Sequence, residues 1–360
     1  MSGRNRLKLG IFGSNCSSGL AKTKVPERWS GSYADNLALA QMIDAAGIEF
    51  LLPIGRWKGY DGETNPQGET FETVTWATGM LSGTRDLTVF GTVHVPLIHP
   101  LFAAKMCVTA DHAGTGRFAL NIVCGSHQQE FDMFGEPLRE NEPAYAYGRE
   151  WFDIVSRLWA DDAPFDHDGE FFHLKNAQAL PKPWGGSRPL IMNAGQSAAG
   201  KDFGLRYADD FFTLCDTLER AANNVRDIQA GATKYGRDIG VYTSFSVVCR
   251  PTKREADEYY RYFASEMADW EALDGRLTEL QGRQRLERDL TSDARLRQIA
   301  GYGAHTCIGD ADGVARELAD YSAAGLTGIG MNFVNYLDEF PYFRDEVLPR
   351  LERLGVREPR

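Results

Sequence analysis

The sequence has no long apolar run. No stretch approaches the roughly 18 apolar residues that a helix needs to cross a bilayer, so no membrane span is expected. The opening MSGRNRLKLGIF lacks the apolar core and cleavage pattern of a secretory leader. Positive charge is in deficit and unclustered: 39 Lys and Arg stand against 50 Asp and Glu, for a net charge of −11. A nucleic-acid or anionic-membrane surface needs clustered positive charge, so neither partner is expected. Cysteines are few: Cys16, Cys107, Cys124, Cys215, Cys249 and Cys307. No two share C-x-x-C spacing, and none has a histidine at zinc-site spacing. They read as reduced thiols, and a cytoplasmic location is expected.

Several catalytic signatures are also missing. There is no Gly-x-Ser-x-Gly nucleophile elbow and no P-loop. GYGAHT at Gly301 and GIGMNF at Gly328 each lack the third glycine of a dinucleotide fingerprint. His94, His99 and His127 have no carboxylate at partner spacing, so no metal is expected. A barrel aldolase or isomerase would need a catalytic lysine or paired carboxylates at strand ends, and no convincing set is present.

What the 360 residues do show is alternation. Strands are predicted at 7–12, 50–54, 87–95, 118–123, 189–193, 211–214, 241–249 and 328–333. Helices are predicted between them at 36–46, 71–82, 99–112, 145–159, 197–207, 217–235, 253–267 and 312–324, with a last one at 340–354. Gly47 and Gly325 stand as helix stops. Eight strands each paired with a helix predict an α/β fold, a (β/α)₈ TIM barrel, over 1–360 as one domain. A doubly wound open sheet is the second choice. No linker composition divides the chain. Residues 268–301 break the alternation with dense charge of both signs, as in ALDGRLTELQGRQRLERDL. They read as a solvated helical insertion or as a lid over the site.

In a barrel the chemistry lies at the carboxyl ends of the strands. That selects Ile54, Gly55, Arg56 and Trp57 after strand two, Thr92 and His94 on strand three, and Asn121 on strand four. It also selects Ala194, Gly195, Gln196 and Ser197 after strand five. Gly195 lets backbone approach a ligand. Ser197 stands where an N-cap would, before free N–H groups that suit a phosphate; a simple Ser-capped helix fits the same residues. Asn121 also suits a hydrogen-bonded core amide, Thr92 an ordinary strand residue, and Glu130 an exposed loop carboxylate. Arg56 and Trp57 also suit loop packing.

GRFALNIVCGSHQQEFDMFG (116–135), IMNAGQSAAGKDFGLRYAD (191–209) and HTCIGDADGVARELADYSAAGLTGIGMNF (305–333) resemble, in order, three motifs of the bacterial-luciferase-like flavin monooxygenases. The nearest branch is that of the pyrimidine and dimethyl sulfone monooxygenases. The resemblance implies FMN, reduced by a separate NAD(P)H:flavin reductase, with O2 as co-substrate. It aligns Ile54 and Gly55 with backbone along the flavin ring, and Asn121 with the asparagine that contacts it. Glu130 aligns with a carboxylate on the ribityl side, and Tyr145 and Ser197 with phosphate ligands. Thr92 and Asn121 together align with the oxygen pocket. Two positions depart from the family: Ser126 replaces a tryptophan, and Arg56 and Trp57 stand where luciferase carries its histidine.

The implied reaction is oxygenation of a small molecule, an N-heterocycle or amide-like ring, through a flavin peroxide. Arg56 would polarise a substrate carbonyl, and Trp57 and Tyr60 would stack on a planar substrate, with His94 and His127 nearby. Rival readings are a sulfone or sulfonate monooxygenase, an enzyme acting on a flavin or other fused heterocycle, an F420-dependent dehydrogenase, and a non-catalytic flavin-binding barrel. The family also implies a homodimer or homotetramer.

Overall fold

A computed structural model describes residues 5–125, 127–139, 141–282 and 290–359. Ser126 and residues 283–289 of the charged insertion lie outside the described residues.

The chain starts with β1 (Lys8–Phe12), α1 (Tyr33–Ala45), β2 (Phe50–Leu52), α2 (Thr73–Ser82), β3 (Thr88–His94), α3 (Pro100–Ala113) and β4 (Phe118–Val123). Two helices follow, α4 (Gln128–Phe134) and α5 (Asn141–Ala160), then an antiparallel hairpin of β5 (Phe165–Asp168) and β6 (His173–Ala177). Alternation resumes with β7 (Leu190–Asn193), α6 (Ala198–Tyr207), β8 (Asp210–Phe212), α7 (Leu218–Thr233) and β9 (Gly240–Cys249). After α8 (Lys253–Arg261), the insertion supplies α9 (Trp270–Gly282) and α10 (Ser292–Ala300). The chain then runs through β10 (His305–Gly309), α11 (Ala311–Ala323), β11 (Gly328–Asn332), α12 (Tyr336–Tyr342) and α13 (Leu348–Arg353).

Eight parallel strands close in the order β1-β2-β3-β4-β7-β8-β9-β11, and β11 returns to pair with β1. These are the eight strands expected from the alternation, and the barrel is the expected (β/α)₈ fold. β10 is additional. It pairs with Phe245–Cys249, the far half of β9, while β11 takes Tyr242–Ser246. Side-chain caps open most helices: Ser32 before α1, Ser197 before α6, Thr217 before α7 and Asp310 before α11. Each satisfies an N–H that the helix itself leaves unpaired. Gly47 (φ 76°) and Gly325 (φ 101°) follow α1 and α11 in the left-handed region, as their roles as stops require.

The barrel interior is filled by Phe12, Phe50, Phe90, Met192, Phe212 and Tyr242. Gly10 and Gly328 make that possible, because a Cβ there would collide with the rings of Phe50 and Tyr242. A larger apolar layer lies between the strands and the surrounding helices. The insertion is not wholly solvated. Leu273 and Leu277 of α9 and Ile299 of α10 are buried with Ala21, Val25 and Phe263 in a core of their own. Among the described residues no helix is long and apolar enough to cross a membrane. All six cysteines are buried and free of disulfides.

Candidate active site

Parallel register pairs Thr92 of β3 with Asn121 of β4. Asn121 donates through Nδ2 to Thr92 Oγ1 at 3.3 Å, and Thr92 Oγ1 donates to the Pro53 carbonyl at 2.9 Å. The Asn121 Oδ1 atom is buried and accepts no hydrogen bond. An orphaned acceptor of this kind costs about 1–3 kcal/mol unless a ligand fills it.

The end of β2 meets this pair. Asn15, fully buried, clamps the Ile54 backbone: its Nδ2 donates to Ile54 O at 2.9 Å, and its Oδ1 accepts from Ile54 N at 2.8 Å. Asn15 lies just past the first predicted strand and was not singled out from the sequence. The next residue, Gly55, packs so tightly that a Cβ would stand 2.9 Å from His94 Cε1 and 3.0 Å from Thr92 Cγ2. Burial, with Arg56 nearby, pushes the His94 imidazole down to about 4, so it is neutral at ordinary pH.

The corner after β7 is built by Asn193. Its Oδ1 accepts from Gly195 N at 3.0 Å, and its Nδ2 donates to Ile122 O on β4 at 2.9 Å. Gln196 donates to Ala194 O at 3.0 Å and Phe212 O at 3.2 Å, which fixes the turn. Ser197 caps α6 by accepting from Gly200 N at 3.1 Å. A Cβ on Gly195 would stand 2.7 Å from Gly200 Cα and would collide with the Tyr145 hydroxyl. The structure therefore brings Tyr145 against the turn of Gly195 to Ser197, from which it is distant in the chain.

A buried ionic cluster occupies the other side of the mouth. Glu130 is not an exposed loop carboxylate: it lies on α4, only 1% exposed. Its Oε1 accepts from Trp57 N at 2.7 Å and stands 3.7 Å from Arg56 Nη1. Burial raises the Glu130 carboxyl, and Arg56 pulls it back down. Arg56 is also 3.9 Å from Glu279 of α9, and Glu279 is 3.3 Å from His127 Nε2. The Arg56 guanidinium lies over the Tyr60 ring, 4.6 Å from its centroid, and donates to the Tyr60 hydroxyl. Arg276 of α9 donates to the same hydroxyl at 2.6 Å and lies 4.0 Å from the Tyr302 ring. Lys22 sits between Tyr60 and Tyr302, 5.5 and 5.4 Å from the two centroids. Burial first, then Arg276 and Arg56, pull its ammonium well below the ordinary lysine range.

Lys22, Arg276, Glu279 and Tyr302 were not singled out from the sequence. The dense charge of 268–301 was the one visible signal, and nothing in it marks Arg276 among its neighbours. Trp57 sits at the rim, 39% exposed and edge-on to Phe134 at 5.0 Å. His99 is apart from the mouth and caps α3 by accepting from Leu101 N at 3.2 Å. Among the described residues no group of three His, Cys, Asp or Glu could hold a metal.

The model of the luciferase-like monooxygenase family matches residues 7–328. The chain belongs to that family. It is a flavin-dependent oxidoreductase of the monooxygenase kind. It is 28% identical over 359 residues to an FMNH(2)-dependent dimethylsulfone monooxygenase of Pseudomonas fluorescens, covering 98% of this chain and 96% of that one. It is 27% identical over 365 residues to the pyrimidine monooxygenase RutA of Escherichia coli, covering 97% and 92%. These two activities mark the branch expected from the sequence. Among solved structures, a long-chain alkane monooxygenase (LadA) superposes with a TM-score of 0.85 at 20% identity, covering 100% of this chain and 94% of that one. A riboflavin lyase (RcaE) superposes with 0.82 at 21%, covering 98% and 92%. Likeness at that identity speaks for the fold alone.

Proposed function

We propose that the protein is the oxygenase of a two-component system. It receives reduced FMN from a separate NAD(P)H:flavin reductase and uses O2 to oxygenate a small N-heterocycle or amide-like ring. The observation that carries this reading is the Thr92–Asn121 pair, whose buried Asn121 Oδ1 accepts nothing.

The residues suit FMN. Tyr145, Ala194, Gly195, Gln196 and Ser197 form a tight polar corner at the start of a helix, which fits the phosphate end. The clamped backbone of Ile54 and Gly55, closed against Thr92 and His94, fits the flat ring. Glu130 would stand toward the ribityl chain. When bound, reduced FMN supplies the electrons that activate O2. Thr92 and Asn121 orient polar atoms beside the ring, and the aromatic filling of the barrel below excludes water. Arg56 places a fixed cation where negative charge develops on a substrate oxygen. A sulfone or sulfonate substrate is the second reading, favoured by the 28% identical dimethylsulfone monooxygenase.

The test is turnover with a flavin reductase, NADH and ¹⁸O2 against N-heterocycles, sulfones and sulfonates, read by mass spectrometry. One labelled oxygen atom in product, together with FMN binding in preference to F420, is expected. Oxygen-independent hydride transfer with F420 would overturn the reading.

A further inference from the structure

The cluster around Tyr60 has more positive than negative charge. Among the described residues three cations, Lys22, Arg56 and Arg276, meet two carboxylates, Glu130 and Glu279. Both carboxylates are already engaged by Arg56, and Lys22 and Arg276 form no ion pair among the described residues. Asp269, at the start of α9, is spent elsewhere: it accepts from Thr64 N at 2.8 Å and Thr64 Oγ1 at 2.7 Å. Lys22 is only 1% exposed and donates to the carbonyls of Gln298 (3.0 Å), Gly301 (3.2 Å) and Leu20 (3.4 Å). Three acceptors around one nitrogen suit the three N–H groups of an ammonium, and they and the flanking ring faces oppose the burial that pulls it down.

Two donors in this cluster also lack an acceptor. Arg56 Nε is buried and unpartnered. The Tyr60 oxygen accepts from Arg56 and Arg276, which uses both its lone pairs, and no described bond takes its own proton. Tyr60 and Glu279 of the cluster line a cavity of about 530 Å³ together with Gly275 and His127, so the arginines are approached from it through Tyr60. Buried charge without a counter-ion is costly, and a ligand that supplies one is correspondingly favoured.

We propose that Arg56, Tyr60 and Arg276 form an anion subsite, and that the substrate carries a carboxylate or sulfonate. The proposal rests on the oxygenase reading and narrows it: the group to be oxygenated lies toward Thr92 and Asn121, the anion is held by the two arginines, and Arg56 then serves this anion instead of a developing oxyanion. The subsite is separate from the corner of Tyr145 and Ser197.

Isosteric pairs test it. Methanesulfonate is compared with dimethyl sulfone, and acetate with acetamide, by calorimetric titration of the full chain with FMN present. The wild type is expected to prefer each anion by at least about tenfold, the yield of one charge-assisted hydrogen bond. The better of the two anions identifies the headgroup. Arg276→Gln should abolish the preference without changing FMN affinity, and Arg276→Lys should restore most of it. Equal or tighter binding of the neutral isosteres overturns the subsite, as does an unchanged preference in Arg276→Gln. Weaker binding of FMN but not riboflavin in Arg276→Gln would assign the cluster to the cofactor's phosphate and also overturn it. Failure of the wild type to bind FMN would overturn the oxygenase reading, and the substrate assignment with it.

Discussion

Asn121 Nδ2 donates to Thr92 Oγ1 at 3.3 Å, and parallel register sets the two residues side by side at the mouth of the barrel. Thr92→Ala removes the hydroxyl and frees the Asn121 amide. Coupled turnover should fall about tenfold, the equivalent of one hydrogen bond in the transition state, while hydrogen peroxide release rises. FMN should still bind. Thr92→Ser should recover most of the coupling. Full coupled turnover in Thr92→Ala would remove the pair from the mechanism.

The corner at Gly195 has no room. An added Cβ would meet Gly200 Cα at 2.7 Å and the Tyr145 hydroxyl besides. Gly195→Ala should therefore weaken FMN by about tenfold or more and riboflavin much less, as read by fluorescence titration. Equal losses for the two flavins would place the phosphate elsewhere.

His94 should make the protein acid-sensitive. Its folded-state value is pushed down to about 4, against 6.5 for an unperturbed histidine. Between those values the unfolded chain binds a proton that the folded chain does not. Its contribution is therefore complete above about pH 6.5 and declines as pH falls toward 4. The loss at pH 4.5 is about 2–3 kcal/mol. Urea unfolding at pH 4.5 and 7.5 should show a smaller gap in His94→Gln than in the wild type.

Asp210 should act in the opposite direction. It opens β8 at the far end of the barrel from the mouth, and its Oδ2 has no partner. Burial raises its carboxyl from 3.8 to about 7. The folded chain then holds a proton that the unfolded chain releases, so stability is lost as pH rises from about 4 to 7. Asp210→Asn should stabilise by about 4 kcal/mol at pH 8 and by only about 1 kcal/mol at pH 4.5. A Tm shift independent of pH would contradict this.

The barrel was legible because each of its strands is a short apolar run closed by a capped helix, a pattern that survives without tertiary information. The strand β10 was not: HTCIG lies on the flank of β9, outside the alternation, and its pairing is decided by the split register of Phe245. The hairpin β5–β6 was missed because only Phe165 and Ala177 at its ends are buried. In the candidate site, Thr92, Asn121, Gly195 and Ser197 were singled out because each lies toward the end of a recognisable strand or at the start of a helix. Glu130 was singled out only through family resemblance. Apart from Arg56, the cluster around Tyr60 is drawn from positions 22, 276 and 302, and no local spacing brings those together.

Among its described residues the insertion adds one cation, Arg276, and one anion, Glu279, to the mouth. Removing both leaves Lys22 and Arg56 against Glu130, with the same surplus of one. Among the described residues the surplus of positive charge at the mouth therefore belongs to the barrel itself, and α9 contributes shape and orientation. An exchange of this segment for a different one would change which molecule fits while leaving the sign of the molecule that is attracted.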